Sequence, residues 1–199
     1  MSIKYRLGFD IDEVVCSTIK TIIKLMKEFY NIDWSYEKFN SYSFEKTEFV
    51  KGNKTLNKKI SDHLVTLVND PEVHLSFEPY EEAVRCIRRY KDKGHSIHFI
   101  SNRPLEKEDV TMKWLRRNNI PVNSLHHAGW KVKKGTICEN LELDFYIDDH
   151  TECLESLTEC KKRWRKGLFL MDRPWNQGYE NENVVRVRNW KEVDKHLNL

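Results

Sequence analysis

The chain has 199 residues, 39% of them hydrophobic and 12% aromatic, which suits one packed domain or one domain carrying a sizeable insertion. Charged residues make up 33%, and 34 basic against 31 acidic side chains leave +3, which excludes a disordered polyelectrolyte and gives no case for nucleic-acid binding. No stretch approaches the roughly 20 apolar residues that span a bilayer, and the N-terminus lacks the apolar run of a signal peptide.

Residues 5–10 turn from alternating to apolar, as a buried strand does. They run into Asp10, Ile11, Asp12 and Glu13. Ile19, Ile22, Ile23, Met26, Phe29 and Tyr30 then follow helical spacing, with Lys20, Lys24 and Lys27 on the other face. Residues 31–55 are polar, aromatic-rich and weakly periodic. Ile60, Leu64, Leu67 and Val68 predict a second helix, and 69–82, punctuated by Pro71 and Pro79, reads as a connection.

From residue 80 the rhythm is regular. A helix is predicted over 80–93, stopped by Gly94 as a left-handed cap. Then come a strand at 95–101, a helix over 106–118, and a short helix following Lys134. A strand over 143–149, a helix over 151–166, strands at 167–171 and 183–188, and a last helix over 189–197 complete the chain. This alternation predicts an α/β fold: a doubly wound, Rossmann-like parallel sheet with helices on both faces. About 60 residues interrupt it after the first strand, too many for a structureless loop. The expected division is a core of 1–15 and 79–199 with a small helical cap of 16–78.

The five cysteines, Cys16, Cys86, Cys138, Cys153 and Cys160, are odd in number and lack a CxxC, which reads as reduced thiols in a cytoplasm. Cys153 and Cys160 lie two helical turns apart, about 10 Å, too far for a disulfide. His126, His127 and His150 have no ligand spacing and read as surface or internally satisfied histidines. The run Lys161–Lys166 reads as a solvated helix face, and no stable nucleic-acid partner is expected.

Ligands of open parallel sheets bind beyond the carboxyl ends of the strands. Four predicted strands end there in polar groups: Asp10 and Asp12; Ser101, Asn102 and Arg103; Asp148 and Asp149; Asp172 and Arg173. Converging carboxylates repel unless a cation neutralises them, and an all-oxygen site favours magnesium shared with substrate phosphate oxygens. Asp10 could attack phosphorus to form an aspartyl-phosphate, and Asp12 could protonate the leaving oxygen and then activate water. Ser101 and a nearby lysine would hold the other phosphate oxygens. Taken alone, Ser101 is as well a helix cap, Asn102 and Arg103 are equally loop formers, and "DRPWN" is either a structural turn or a substrate-side loop.

The ordered set "DID" at Asp10–Asp12, Ser101 ending "HFIS", a lysine in "KVKKG" and "IDD" at Asp148–Asp149 resembles the haloacid dehalogenase (HAD) superfamily of phosphatases. The resemblance covers residues 5 to about 150. It implies Asp10 as nucleophile and Asp12, the mark of its phosphatases, as general acid and base that also gives its backbone carbonyl to the metal. It implies Lys134 rather than Lys131 or Lys133, because the superfamily often places its lysine about fourteen residues before the first Asp of the pair. Asp149 aligns with the superfamily's metal ligand, leaving Asp148 as alternate or as support. The phosphate would be held by Ser101, Asn102 and Lys134, and the metal, Mg2+, by Asp10, Asp12 and Asp149.

Together with the helical insertion, "ISN" and "DRPWN", the pattern is similar to the cytosolic type C 5′-nucleotidase family. That implies a small phosphate ester, a (deoxy)nucleoside monophosphate, as substrate, and no membrane partner; a homodimer is left open. A sugar-phosphate phosphatase and a non-hydrolytic binding protein are the rivals. Trp34, Tyr36, Phe39, Tyr42, Phe44 and Phe49 are candidates to stack on a base, each weighed against a core role. Glu13 departs from the family, which usually has Gly there.

Overall fold

The protein is described from a computed structural model covering residues 3–129, 132–158 and 164–199. Cys160, Lys131 and residues 161–163 of the basic run lie outside the described residues.

In chain order the elements are β1 (Arg6–Phe9), β2 (Cys16–Ser17), α1 (Thr18–Tyr30), α2 (Lys54–Val68), α3 (Pro71–Leu75), β3 (Glu78–Pro79), α4 (Glu81–Asp92) and β4 (Ser96–Ser101). There follow α5 (Glu108–Arg117), β5 (Ser124–His127), α6 (Lys134–Asn140), β6 (Phe145–Asp148), α7 (Thr151–Thr158), β7 (Gly167–Met171), β8 (Val184–Val187) and α8 (Trp190–Leu197). Six strands form a parallel sheet in the order β5-β4-β1-β6-β7-β8. This is the doubly wound arrangement. The winding reverses between β1 and β6, and the crevice beyond their carboxyl ends is where such sheets bind ligands.

Alternation along the strands divides the core in two. Leu7, Phe9, Ile97, Phe99, Phe145 and Ile147 pack against α4, α5 and α8. Tyr146, Leu168 and Leu170 face the other way, against α6 and α7. Gly8 points to that second face, where a Cβ would come within 2.4 Å of the Leu143 side chain and 2.8 Å of the Tyr146 ring. Only glycine lets β1 and its neighbour pack so closely at this point.

Four elements escape the sequence pattern: the two-residue strands β2 and β3, the edge strand β5 and the short helix α3. β5 is an edge strand whose "SLHH" carries a single aliphatic residue, so periodicity misses it. α3 lies inside the expected connection. Asp70 caps it, accepting from the Glu72 and Val73 amides, and Pro71 occupies its first turn. The left-handed stop at Gly94 is present, with φ +88°.

Between β2 and β3, which pair as a short antiparallel ribbon, the chain forms α1, α2 and α3 outside the main sheet. Ile19, Ile22, Met26, Phe39, Phe49, Ile60 and Leu64 make a separate apolar cluster there. Trp34, Tyr36 and Phe44 pack against it, so five of the six candidate aromatics belong to this core. Tyr36 also meets the Trp175 ring, and Tyr42 meets His150. No helix among the described residues is long and apolar enough to cross a membrane.

Candidate active site

The register of β1 on β6 pairs Phe9 with Ile147, and the Asp10 amide donates to the Ile147 carbonyl at 3.0 Å. Asp10 therefore emerges level with Asp148, at the switch point. One oxygen from each of Asp10, Asp148 and Asp149 lies within 4.8 Å of the others, and all three are buried. Lys134, the first residue of α6, is buried between them. Its Nζ sits 2.8 Å from Asp10 Oδ1 and 2.9 Å from Asp148 Oδ2.

Three carboxylates share one ammonium, and their proton affinities diverge accordingly. Burial pushes the Asp10 carboxyl up to about 7; Lys134 pulls it back, while Asp148 and Asp12 add to the rise. Burial, then Asp148 and Asp10, push Asp149 well above the carboxylate range. Burial would raise Asp148 too, but Lys134 overrides it and holds that group below its ordinary value. For Lys134 itself burial opposes the charge, and the flanking Asp10 and Asp148 reverse this, keeping the ammonium firmly protonated.

Asp148 and Asp149 differ in their partners. Asp148 Oδ2 accepts from Lys134 and from the Tyr146 hydroxyl at 2.8 Å, and its Oδ1 accepts from the His150 amide at 2.9 Å. Among the described residues, the Asp149 carboxylate accepts from the Trp175 indole Nε1 alone, at 2.8 Å on Oδ2. Asp10 Oδ1 is buried with Lys134 beside it but outside hydrogen-bond alignment. The open acceptors are thus on Asp10 and Asp149, not on Asp148. An all-oxygen set with excess negative charge and an unsatisfied buried oxygen on Asp10 fits a divalent cation.

Asp12 occupies a different setting. Arg103 clamps it with two parallel donors, Nε to Oδ2 at 2.8 Å and Nη2 to Oδ1 at 2.7 Å, and Thr18 Oγ1 donates to Oδ1 at 2.6 Å. Desolvation works against its charge, but Arg103 overrides it and holds the carboxyl at about 2. Arg103 Nη1 in turn donates to His74 Nε2, at the end of α3. Burial, reinforced by the Arg103 cation, pushes His74 down to about 3, so the ring is neutral and able to accept.

Ser101 closes β4, next to β1, and is buried; its Oγ accepts from the Arg103 amide at 3.2 Å. Asn102 follows it, half-buried. The His127 Nδ1–H donates to the Pro104 carbonyl at 2.8 Å, and His126 Nε2 meets Ser124 Oγ at 2.9 Å. Cys16, Cys86 and Cys153 carry free thiols.

Glu13 is the departure with a structural explanation. Its φ is +56°, the left-handed region that favours glycine. The side chain offsets that cost: Oε1 accepts from the Ile19 amide at 2.8 Å, and Oε2 from the Tyr36 and Tyr80 hydroxyls at 3.0 and 3.1 Å. Burial raises its proton affinity despite these donors and Arg173. Glu13 therefore turns away from the Asp10 cluster and ties the loop to the insertion.

Sequence reasoning passed over Arg103, Thr18, His74 and Trp175 as site residues. Arg103 had a signal, since an Asp at the site without a cation partner is costly and Arg103 lies two residues after Ser101. Trp175 lay in the "DRPWN" turn, whose sequence does not say which way the indole points. Thr18 and His74 are placed by the ribbon and α3, which carry little pattern.

A family profile described as "5' nucleotidase, deoxy (Pyrimidine), cytosolic type C protein" matches residues 4–198. A protein of Oceanobacillus iheyensis named "Putative nucleotidase" is 26% identical over 189 residues, spanning 93% of this chain and 95% of its own. A Clostridium acetobutylicum protein named "Nucleotidase" is 31% identical over 110 residues, 55% of each chain. Among solved structures, the "putative HAD-hydrolase YfnB" of Bacillus subtilis, bound to magnesium, superposes with a TM-score of 0.60 at 13% identity, over 99% of this chain and all of its own. That likeness shows the shared fold.

Proposed function

Because the chain belongs to the cytosolic type C 5′-nucleotidase family and is a phosphatase of the HAD superfamily, we propose a magnesium-dependent phosphomonoesterase that works through an aspartyl-phosphate. The observation that carries this reading is the buried cluster of Asp10, Asp148 and Asp149 around one lysine at the switch point of the sheet. We assign Asp10, Asp149 and the Asp12 carbonyl to the metal, with Asp148 holding Lys134 in place. YfnB, which shares the fold, is described as bound to magnesium, which supports the choice of ion. A bound divalent cation would keep Asp10 ionised and draw charge from the phosphoryl oxygens.

Asp10 Oδ then attacks phosphorus while the ester oxygen leaves, and that oxygen takes its proton from Asp12, which must first loosen from the Arg103 fork that holds its carboxyl ionised. Asp12 next takes a proton from water as the water attacks the acyl phosphate, freeing phosphate and restoring Asp10. Ser101 Oγ, Asn102 and Lys134 Nζ hold the remaining phosphoryl oxygens, where charge is greatest in the transition state. Lys134, already seated against Asp10, needs no rearrangement to do so.

The helices of residues 16–78 act as a cap on this reading, and a nucleoside 5′-monophosphate is the substrate. Tyr42, exposed on the insertion, lies 4.0 Å ring to ring from His150, just after the acidic pair, and offers a flat surface for a base. The family's description reads cytosolic, which supports a cytosolic activity. Phosphate release from a panel of nucleoside monophosphates and sugar phosphates, with Mg2+ and with chelator, tests all of this. Turnover of nucleotides that stops with chelator is expected. Turnover of sugar phosphates alone would replace the substrate, and none at all would end the enzymatic reading.

A further inference from the structure

Trp175 is in the turn after β7, yet it packs with the apolar cluster of the insertion. Its indole Nε1 donates to Asp149 Oδ2 at 2.8 Å. The turn itself is firmly built. Asn176 Nδ2 donates to the Asp149 carbonyl at 2.9 Å and to the Met171 carbonyl at 2.8 Å. Arg186 holds Asn176 through its side-chain and main-chain oxygens and pairs with Asp172. On the other side the Tyr36 ring lies 5.9 Å from the Trp175 ring, and the Tyr36 hydroxyl is bound to Glu13. Arg173, two residues before Trp175, donates to the Glu13 carbonyl. The contacts close a circuit from the loop after β1, through the insertion, to Asp149.

We infer that Trp175 is a positioning residue: its indole N–H engages Oδ2 of Asp149, leaves Oδ1 to face a divalent cation, and is itself held in place by Tyr36 of the insertion. The inference rests on the assignment of Asp149 as a metal ligand. Its physical basis is general. A carboxylate ligand with one oxygen fixed by a donor loses less freedom on binding metal and presents one defined atom, and removing such a partner typically weakens metal affinity by about 10- to 100-fold. Asp149 has no other side-chain donor among the described residues, so the whole effect falls on Trp175.

Calorimetric titration of the full chain with Mg2+, beside thermal denaturation without metal, tests it. Trp175→Phe keeps the ring against Tyr36 and removes the N–H; it is expected to weaken Mg2+ binding about 10-fold or more. Tyr36→Ala removes the ring that backs the indole and is expected to weaken binding several-fold. Wild-type affinity in a folded Trp175→Phe would overturn the inference. If that variant does not fold, Tyr36→Ala decides, and unchanged affinity there overturns it equally. A wild-type chain that takes up no Mg2+ at all is a different result, and it removes the metal assignment on which the inference rests.

Discussion

Asp10 and Asp12 are two residues apart on one loop and live in opposite electrostatic regions. On the β6 side, Asp10 shares one lysine with Asp148, has Asp149 close by, and rises to about 7. On the insertion side, Asp12 has a two-pronged guanidinium and a threonine hydroxyl to itself and falls to about 2. The number of cationic donors per carboxylate accounts for the contrast. One side is short of positive charge and suits a metal; on the other the Arg103 fork holds Asp12 ionised and oriented, which suits a base and requires the fork to loosen before Asp12 can serve as an acid. Carboxylates whose environments push them apart in this way are the ordinary means by which one site carries two roles.

The largest effects should come from the metal side. Asp10→Asn is isosteric but cannot attack phosphorus, so phosphate release should fall by about 10⁴-fold or more. Retention of a tenth of wild-type activity would remove Asp10 as nucleophile. Lys134→Met leaves Asp10 and Asp148 buried without their cation. It should cost about 3 kcal/mol of stability, read as a lower denaturant midpoint with an unchanged slope. An unshifted midpoint would mean the two acids are satisfied by other means.

The asymmetry was legible in part. Asp10, Ser101, Lys134 and Asp148 are visible in the chain because each ends or begins a strongly patterned element, and the parallel sheet then aligns them. What the pattern could not show is which acid each cation serves. Arg103 reaches across from the loop after β4 to Asp12, 91 residues away, and His74 reaches Arg103 from α3, which lies in a stretch without helical periodicity. Glu13 looked like a misfit beside an anionic substrate. Its left-handed φ and three donors become apparent only once the insertion has folded over it. Long-range side-chain pairing, rather than element type, is where the sequence runs out.

The Asp12 side is sharpened by changing its cation without removing it. Arg103→Lys keeps the charge but a single ammonium cannot supply two parallel donors in a fixed fork. Asp12 should then be poorly oriented for proton transfer, and kcat should drop by about 10²-fold with KM little changed, as loss of general acid–base catalysis predicts. Steady-state kinetics on the best nucleotide would show it. A rise in KM at constant kcat would instead make Arg103 a substrate-binding residue.

The smallest effect concerns His74, the acceptor behind Arg103. Its folded-state value of about 3 lies below the 6.5 of an unperturbed imidazole. The unfolded chain therefore binds this proton first as pH falls. The contribution of His74 is complete above about pH 6.5 and is lost on descending from there toward 3. His74→Asn keeps an acceptor for Arg103 but has nothing to titrate. Near pH 7 it should cost about 1 kcal/mol for an imperfect hydrogen bond. Between pH 6.5 and 5 the wild type should lose about 1.6 kcal/mol relative to the variant, so the gap closes and reverses. Denaturant melts at the two pH values decide this. A gap that stays constant would show that His74 takes up its proton in the folded protein as readily as in the unfolded chain, which a neutral acceptor pressed against a guanidinium cannot do.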